Sequence, residues 1–296
     1  MLRYAALSVI TAIVVLALKL LAWRLTGSVG LLSDALETLA NLGGALMALL
    51  MIWLAAQPPD HEHAYGHTKA EYFSSGFEGM LIFLAALLIA LQALPRFLTP
   101  IPLEHTGIGL VVAALATLLN FVVARTLARA GTLHGSVSLK ADSAHLMADV
   151  WTTAGVIAAV ALVAVTGWLW LDPLVALAVA VHLIREGLRL IRQAADGLMD
   201  AAWPDEEQAI LSAVLDEFRS EGDAVDFHAV RTRRSARRRF VSFHVLVPGQ
   251  WTVQRGHDLL ERIESRIAER LPMVTAFTHL EPAEDPASYL DQALDR

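Results

Sequence analysis

The chain has 296 residues, is 55% hydrophobic and only 18% charged, and has a mean hydropathy of +0.50, a balance too apolar for an ordinary soluble protein and indicative of a membrane. It contains no cysteine, which excludes a disulfide framework, a thiolate zinc finger and a thiol nucleophile and leaves His, carboxylate and amide groups to carry any metal chemistry. A net charge of −7 argues against a nucleic-acid partner.

The last 96 residues carry 29 charged side chains and the first 200 only 24, so a membrane domain over 1–200 and a soluble domain over 201–285 are expected, with 286–296 as a flexible tail. Residues 1–26 combine Arg3 with an apolar run longer than the hydrophobic part of a signal peptide. No small-residue cleavage site follows it, so it is expected to stay as a first span. Further runs long enough to cross ~30 Å of hydrocarbon lie at about 28–56, 73–97, 107–130, 142–166 and 171–194. Six spans put both termini on one side. Arg3, Lys69, Arg125, Arg129, Lys140, Arg185, Arg189 and Arg192 flank one set of ends and only Arg24 and Arg96 the other, which places both termini in the cytoplasm.

From about Trp203 the pattern changes. Pro204 and the acids Asp205, Glu206 and Glu207 open a helix that runs to about Ser220. Asp226–Thr232, Arg239–Val247 and Val274–Glu281 read as strands, and Val253–Leu271 as an amphipathic helix. The αββαβ order predicts a small α+β sandwich with its helices on one face of the sheet. The residues after Pro282 read as an acidic tail without a packing pattern.

Ionisable groups inside a membrane span are costly and mark function by default. In the second span Asp34, Glu37 and Asn41 share a face, and in the fifth His145 and Asp149 are one turn apart. Glu37, Asn41, His145 and Asp149 would offer four ligands to a tetrahedral divalent metal. Hydrogen-bonding glue between helices is the plainer reading, but two carboxylates and a His exceed what packing needs. Asp34 and Asp142 lie nearer helix ends, where capping or pairing serves equally well, and His182 reads as structural.

The loop after the second span contains Asp60, His61, Glu62, His63 and His67. This set is dense in nitrogen and oxygen ligands, and His63 and His67 would share a face in a helical turn. In the soluble part, alternation puts Val241, Phe243, Val245 and Val247 in the core and His244 on the opposite face. His279 and Glu281 share a face, and His228 and His257 complete a set that one surface could gather. Scattered surface histidines are the alternative.

The stretch from Thr26 through Asp34 and Glu37 to Asn41, then Tyr65-Gly-His-Thr-Lys-Ala-Glu71, then Lys140-Ala-Asp-Ser-Ala-His-Leu-Met-Ala-Asp149, resembles the cation diffusion facilitator family, most closely its bacterial zinc and iron efflux branch. The resemblance covers nearly the whole chain. It implies a homodimeric, proton-coupled exporter of divalent transition metals in the bacterial inner membrane, with six transmembrane helices and a ferredoxin- or metallochaperone-like cytoplasmic domain. Carried over by position, it puts a transport site at Glu37, Asn41, His145 and Asp149, and a loop site at Asp60, His63 and His67. It puts a cytoplasmic site at His228, His244, His257, His279 and Glu281, where aspartate is usual in place of Glu281. Lys69 and Asp200 match a pair that interlocks the two parts at the dimer interface. The family's second span usually carries Asp-x-x-x-Asp or His-x-x-x-Asp, and this chain has Glu37-x-x-x-Asn41.

The expected function is therefore secondary active transport, not enzymatic catalysis. Zinc is the first choice of substrate and also of structural or regulatory ion, with iron, manganese, cobalt or cadmium next. A membrane-anchored metal sensor or scaffold is the alternative, although an anchor has no need of Glu37, His145 and Asp149. An intramembrane metalloprotease is weaker still, since the chain has no His-Glu-x-x-His helix.

Overall fold

The computed structural model describes residues 2–133, 137–221 and 224–290; within the helices the side chains of residues 2–6, 8, 131, 137–142, 144 and 145 lie outside the description. Six long helices come first: α1 (Leu2–Thr26), α2 (Val29–Ala55), α3 (Ala70–Leu98), α4 (Thr106–Leu133), α5 (Val137–Thr166) and α6 (Leu171–Leu198). Then follow α7 (Asp205–Arg219), β1 (Asp226–Ser235), β2 (Arg238–Val247), α8 (Val253–Arg270) and β3 (Val274–Pro282). The helices α1 to α5 each contain a stretch long and apolar enough to cross a membrane. The charges Asp172, Arg185, Glu186, Arg189, Arg192 and Asp196 keep α6 out of that class. The architecture is thus a helical membrane region followed by a small α/β domain with a three-stranded sheet.

The chain divides into two compact units, one of residues 1–50 with 74–192 and the other of residues 51–73 with 193–296. In the first, small side chains fill the helix contacts. Ala85, Ala86, Ile89 and Ala93 of α3 pack with Ala40 of α2 and with Ala176, Ala180 and Leu183 of α6. Ala22, Leu31, Ala113, Val156 and Val160 join α1, α2, α4 and α5. Without a hydrophobic force between helices in lipid, close backbone approach supplies the packing. It is closest at Gly79 and Gly187, where a Cβ on either would lie 2.8 Å from the carbonyl oxygen of the other. Large apolar groups such as Ile10, Leu49, Leu91 and Val111 point outward. Asp172, in the first turn of α6, accepts hydrogen bonds from the Val29 and Gly30 amides at 2.8 and 3.1 Å and from the Ser28 hydroxyl. It thereby caps the start of α2, where an anion complements the helix dipole.

In the second unit β1 pairs antiparallel with β2, and β2 parallel with β3. Val241, Phe243, Val245 and Val247 of β2 enter one core with Leu211, Val214, Leu215 and Phe218 of α7 and Leu259, Ile263 and Ile267 of α8. Both helices therefore cover the same face of the sheet, as the αββαβ pattern predicts. Trp203 seals the edge of this core, donating through Nε1 to the Arg233 carbonyl at 3.0 Å.

The stretch after Pro282 differs from the unpacked tail expected from sequence. Pro286–Tyr289 forms a 3-10 turn, Ser288 is buried and donates to the Pro282 carbonyl, and the Tyr289 hydroxyl donates to the Ala283 carbonyl. An Asx-type cap from Asp285 to the Ala287 amide starts the turn. Residues 291–296 lie outside the described residues.

Candidate metal centres

The sheet face opposite the core carries the tightest cluster. His244 on β2 stands directly across from His228 on β1 and from His279 on β3, and the ring centroids are 5.1 and 4.9 Å apart. Glu281, two residues beyond His279 on the same face, is 7% exposed. Its Oε2 lies 2.9 Å from His228 Nε2 and 3.0 Å from His244 Nδ1. A tetrahedral zinc ion with bonds of about 2.0–2.2 Å separates its ligand atoms by about 3.4 Å, so these three groups suit an ion after slight expansion. His279 is more exposed, with Nδ1 3.6 Å from Glu281 Oε1. His257 is exposed on α8, which covers the other side of the sheet, and within one chain it stands apart from the cluster.

The loop residues meet as well, by turns rather than by a helix, since α3 starts only at Ala70. Asp60 Oδ1 accepts from the amides of Glu62 and His63 at 3.0 and 2.6 Å. The His63 amide foremost holds its carboxyl below the usual carboxylate range; desolvation opposes it, and the Glu62 amide adds to the lowering. Its two oxygens lie 3.4 Å from His63 Nδ1 and 3.3 Å from His67 Nε2, the spacing of a tetrahedral edge. Beside this site Tyr65 packs edge-on against Phe240 and Phe277, and the Arg233 guanidinium lies 4.3 Å from the Phe240 ring centre. Thr68 and Ser235 share a buried hydrogen bond of 2.7 Å. The loop is thus fastened to the sheet within one compact unit.

Lys69 Nζ lies 2.8 Å from Asp200 Oδ1, and Arg233 approaches the same oxygen at 3.5 Å. Partial burial pushes the Asp200 carboxyl up, but Lys69 and then Arg233 outweigh it and hold the carboxyl below its usual range.

Inside the helical unit, a cavity of about 100 Å³ is lined by Asn41, Thr38, Asp149 and Asn120, together with apolar groups of α1, α2 and α5. Asn41 and Asp149, two of the four residues expected to form the transport site, thus line one cavity. Glu37 is half-buried on α2 and is not among the lining residues. The side chains of His145, Lys140 and Asp142 lie outside the described residues. Two polar groups here were missed from sequence. Asn120, in mid-α4, is 1% exposed, and its Oδ1 has no hydrogen-bond partner among the described residues. Lys19, in mid-α1, is fully buried and bonded to Asp34 at 2.9 Å. Asp34 is therefore engaged in a buried ion pair. The detectable signal in each case was a lone polar residue in an apolar run.

Comparison with known proteins fits this arrangement. The cation efflux transmembrane domain family matches residues 5–199, and the cation efflux protein cytoplasmic domain family matches residues 204–283. The chain is 52% identical to the uncharacterized transporter sll1263 of Synechocystis sp. over 97% of this chain and 92% of that one. It is 31% identical to the cation-efflux pump FieF of Serratia proteamaculans over 92% of this chain and 89% of that one. A solved metal-bound C-terminal domain of the CzcD transporter from Thermotoga maritima is 24% identical over 27% of this chain and 92% of that one, with a TM-score of 0.25. With two family matches that together run from residue 5 to residue 283 and meet between α6 and α7, the chain belongs to the cation diffusion facilitator, or cation efflux, family of metal transporters.

Proposed function

We infer that the protein exports a divalent transition metal, zinc foremost, in exchange for protons, by alternating access in a homodimer of the bacterial inner membrane with both termini cytoplasmic. The observation that carries this reading is the cavity among the spanning helices that Asn41 and Asp149 both line. A sensor or scaffold has no use for a buried carboxylate facing a cavity between spans, and a transporter needs one.

The substrate ion is held by Glu37, Asn41, His145 and Asp149, with the Asn120 carbonyl oxygen as a further neutral donor toward the same space. An imidazole ligand biases the set toward zinc and similar borderline metals over magnesium or calcium. Histidine ordinarily titrates near pH ~6.5, so metal and proton compete for it around neutrality. This is the physical basis for exchange. His228, His244 and Glu281 hold a second, regulatory ion, with His279 adjoining. His257 completes that set only as a contribution from the partner copy of the chain. Asp60, His63 and His67 form a third, peripheral site, and Lys69 with Asp200 fastens the loop beside it.

Reconstitution into liposomes tests the reading. An inside-acidic pH gradient should drive zinc accumulation, and the zinc flux should collapse when the gradient is dissipated. Zinc flux that is indifferent to the pH gradient would remove proton coupling, and no metal flux at all would favour the sensor.

A further inference from the structure

Lys19 is the only buried basic side chain among the described residues, and it lies within a membrane-spanning helix. A charge in that position needs strong compensation. Its ammonium donates to Asp34 Oδ1 and to Thr38 Oγ1, both on α2 and both at 2.9 Å. On its other side it lies 4.0 Å from Asp149 Oδ2 on α5. The Thr153 hydroxyl donates to the same Asp34 oxygen at 2.7 Å. Asp34 Oδ2, also buried, has no hydrogen-bond partner among the described residues. Lys19 does not line the cavity that Asp149 lines with Asn41 and Asn120. Asp149 is therefore shared between the cavity on one side and a lysine on the other.

We propose that Lys19 is a tethered counter-cation of the transport site, competing with the incoming divalent ion for Asp149 and setting how tightly that ion is held. The proposal rests on the reading of Asp149 as a transport ligand. A metal bonded to Asp149 at about 2 Å brings two positive charges close to the ammonium, in surroundings where charges are poorly screened. The ammonium, a compact charge on a flexible stem, then withdraws onto Asp34, whose open Oδ2 provides a second acceptor. When the metal leaves, the ammonium, still bonded to Asp34, again lies 4.0 Å from Asp149 and offsets the charge of that carboxylate. The charge count agrees with this division of labour. Asp34, Glu37 and Asp149 contribute three negative charges and Lys19 one positive charge, which leaves two to balance a divalent ion. Asp34 is thus the resting place of the lysine and not a ligand of the metal.

A merely structural ion pair would tie α1 to α2 and leave the transport constants alone, so the test reads those constants. Lys19→Met by itself strands a buried carboxylate and endangers the fold. The pair is therefore replaced together, once by Lys19→Gln with Asp34→Asn, which keeps a hydrogen bond, and once by Lys19→Met with Asp34→Leu, an apolar exchange of the kind buried pairs tolerate. Zinc flux by the full chain in liposomes gives KM and kcat. Binding of radiolabelled zinc, in full-length protein lacking the loop and cytoplasmic ligands, gives Kd. Removal of the competitor should lower KM and Kd by roughly tenfold or more and lower kcat, because release becomes slow. Unchanged or weaker zinc affinity in folded double variants would overturn the proposal. Asp149→Ala, run alongside, separates the two failures. If it abolishes binding and flux while the double variants behave as wild type, only the role of Lys19 falls. If Asp149→Ala binds and transports zinc normally, the transport-site reading falls, and the proposal with it.

Discussion

The Asp200 carboxylate reaches Lys69 at 2.8 Å from a left-handed backbone, with φ at +59° just beyond the end of α6. Asparagine and aspartate tolerate that conformation better than other side chains, and a β-branched residue is strained in it. Asp200→Asn should therefore keep the turn and lose only the ion pair, at a cost under about 1 kcal/mol for a pair this exposed. Asp200→Val should cost about 1–3 kcal/mol. Thermal unfolding of the purified protein in detergent measures the difference, and equal losses for the two variants would show that the backbone conformation does not matter.

Glu207, in the first turn of α7, is gripped by Arg239 through two hydrogen bonds of 2.7 and 3.1 Å and by Arg234. Arg239 foremost, then Arg234, hold its carboxyl down to about 2 from the ordinary 4.5, against the upward pull of burial. A depressed folded-state pKa means that the stabilisation is complete above the unfolded value and disappears as pH falls through the folded one. Hydrogen exchange in α7, β1 and β2 should therefore accelerate as pH falls from about 4.5 toward about 2, beyond the intrinsic pH trend. In Glu207→Gln that extra acceleration should be absent.

The cytoplasmic cluster is predicted to bind zinc through His228, His244 and Glu281. His244→Ala removes the central nitrogen and should weaken binding at this site at least about tenfold, whereas His257→Ala should leave a single isolated chain's affinity nearly unchanged. Binding must displace protons from imidazole, so affinity should fall between pH about 7.5 and about 5.5. Calorimetry at the two pH values, in two buffers of different ionisation heat, reads both affinity and proton release. Pulsed dipolar distances between the two cytoplasmic domains of a dimer should shorten on adding zinc, and no change at saturation would remove the regulatory role.

Asp60 and His63 are about half exposed, where water can replace them, although His67 beside them is mostly buried. Alanine at all three should leave substantial proton-driven transport and change its apparent affinity only. Complete loss of flux in a well-folded triple variant would move the essential site to the loop.

Asn41 is a neutral donor where the family usually has aspartate. Asn41→Asp adds a third ligand charge and should tighten zinc binding and sharpen its inhibition by protons, as read from KM at several pH values. Asp149→Ala should abolish transport. If Asn41→Asp changes neither affinity nor metal preference while the folded Lys19→Gln, Asp34→Asn double variant no longer binds zinc, Asp34 and Glu37 are the better pair of ligands.

What was legible in the sequence was whatever periodicity alone controls. Alternation along β2 put Val241, Phe243, Val245 and Val247 inward and His244 outward, and the core follows it residue for residue. The meeting of His228 with His244 was less accessible, because it depends on a register that shifts between His228 and Arg231, with Ala229 at φ +51°. No local signal marks that irregularity. Lys19 stood in plain view as a charge in an apolar run, but a run is scored by its average, and one lysine among leucines and valines leaves the average high. Its choice of Asp34 over Asp149 depends on how three helices pack, which spacing along one helix does not encode. Asp172 was overlooked for the same reason, since its partners are backbone amides 142 and 143 positions away in the chain.

The three imidazoles of the cytoplasmic sheet lie on one rung across three strands. A slip of one residue in any strand would turn its histidine to the helix-covered side. A slip of two would keep the face but carry the ring about 6–7 Å along it, beyond the reach of a shared ion. An ion that needs His228, His244 and Glu281 together is therefore admitted only by a sheet whose strands have paired correctly. Metal loading at this surface would double as an inspection of the fold, and a misregistered chain would betray itself by failing to load.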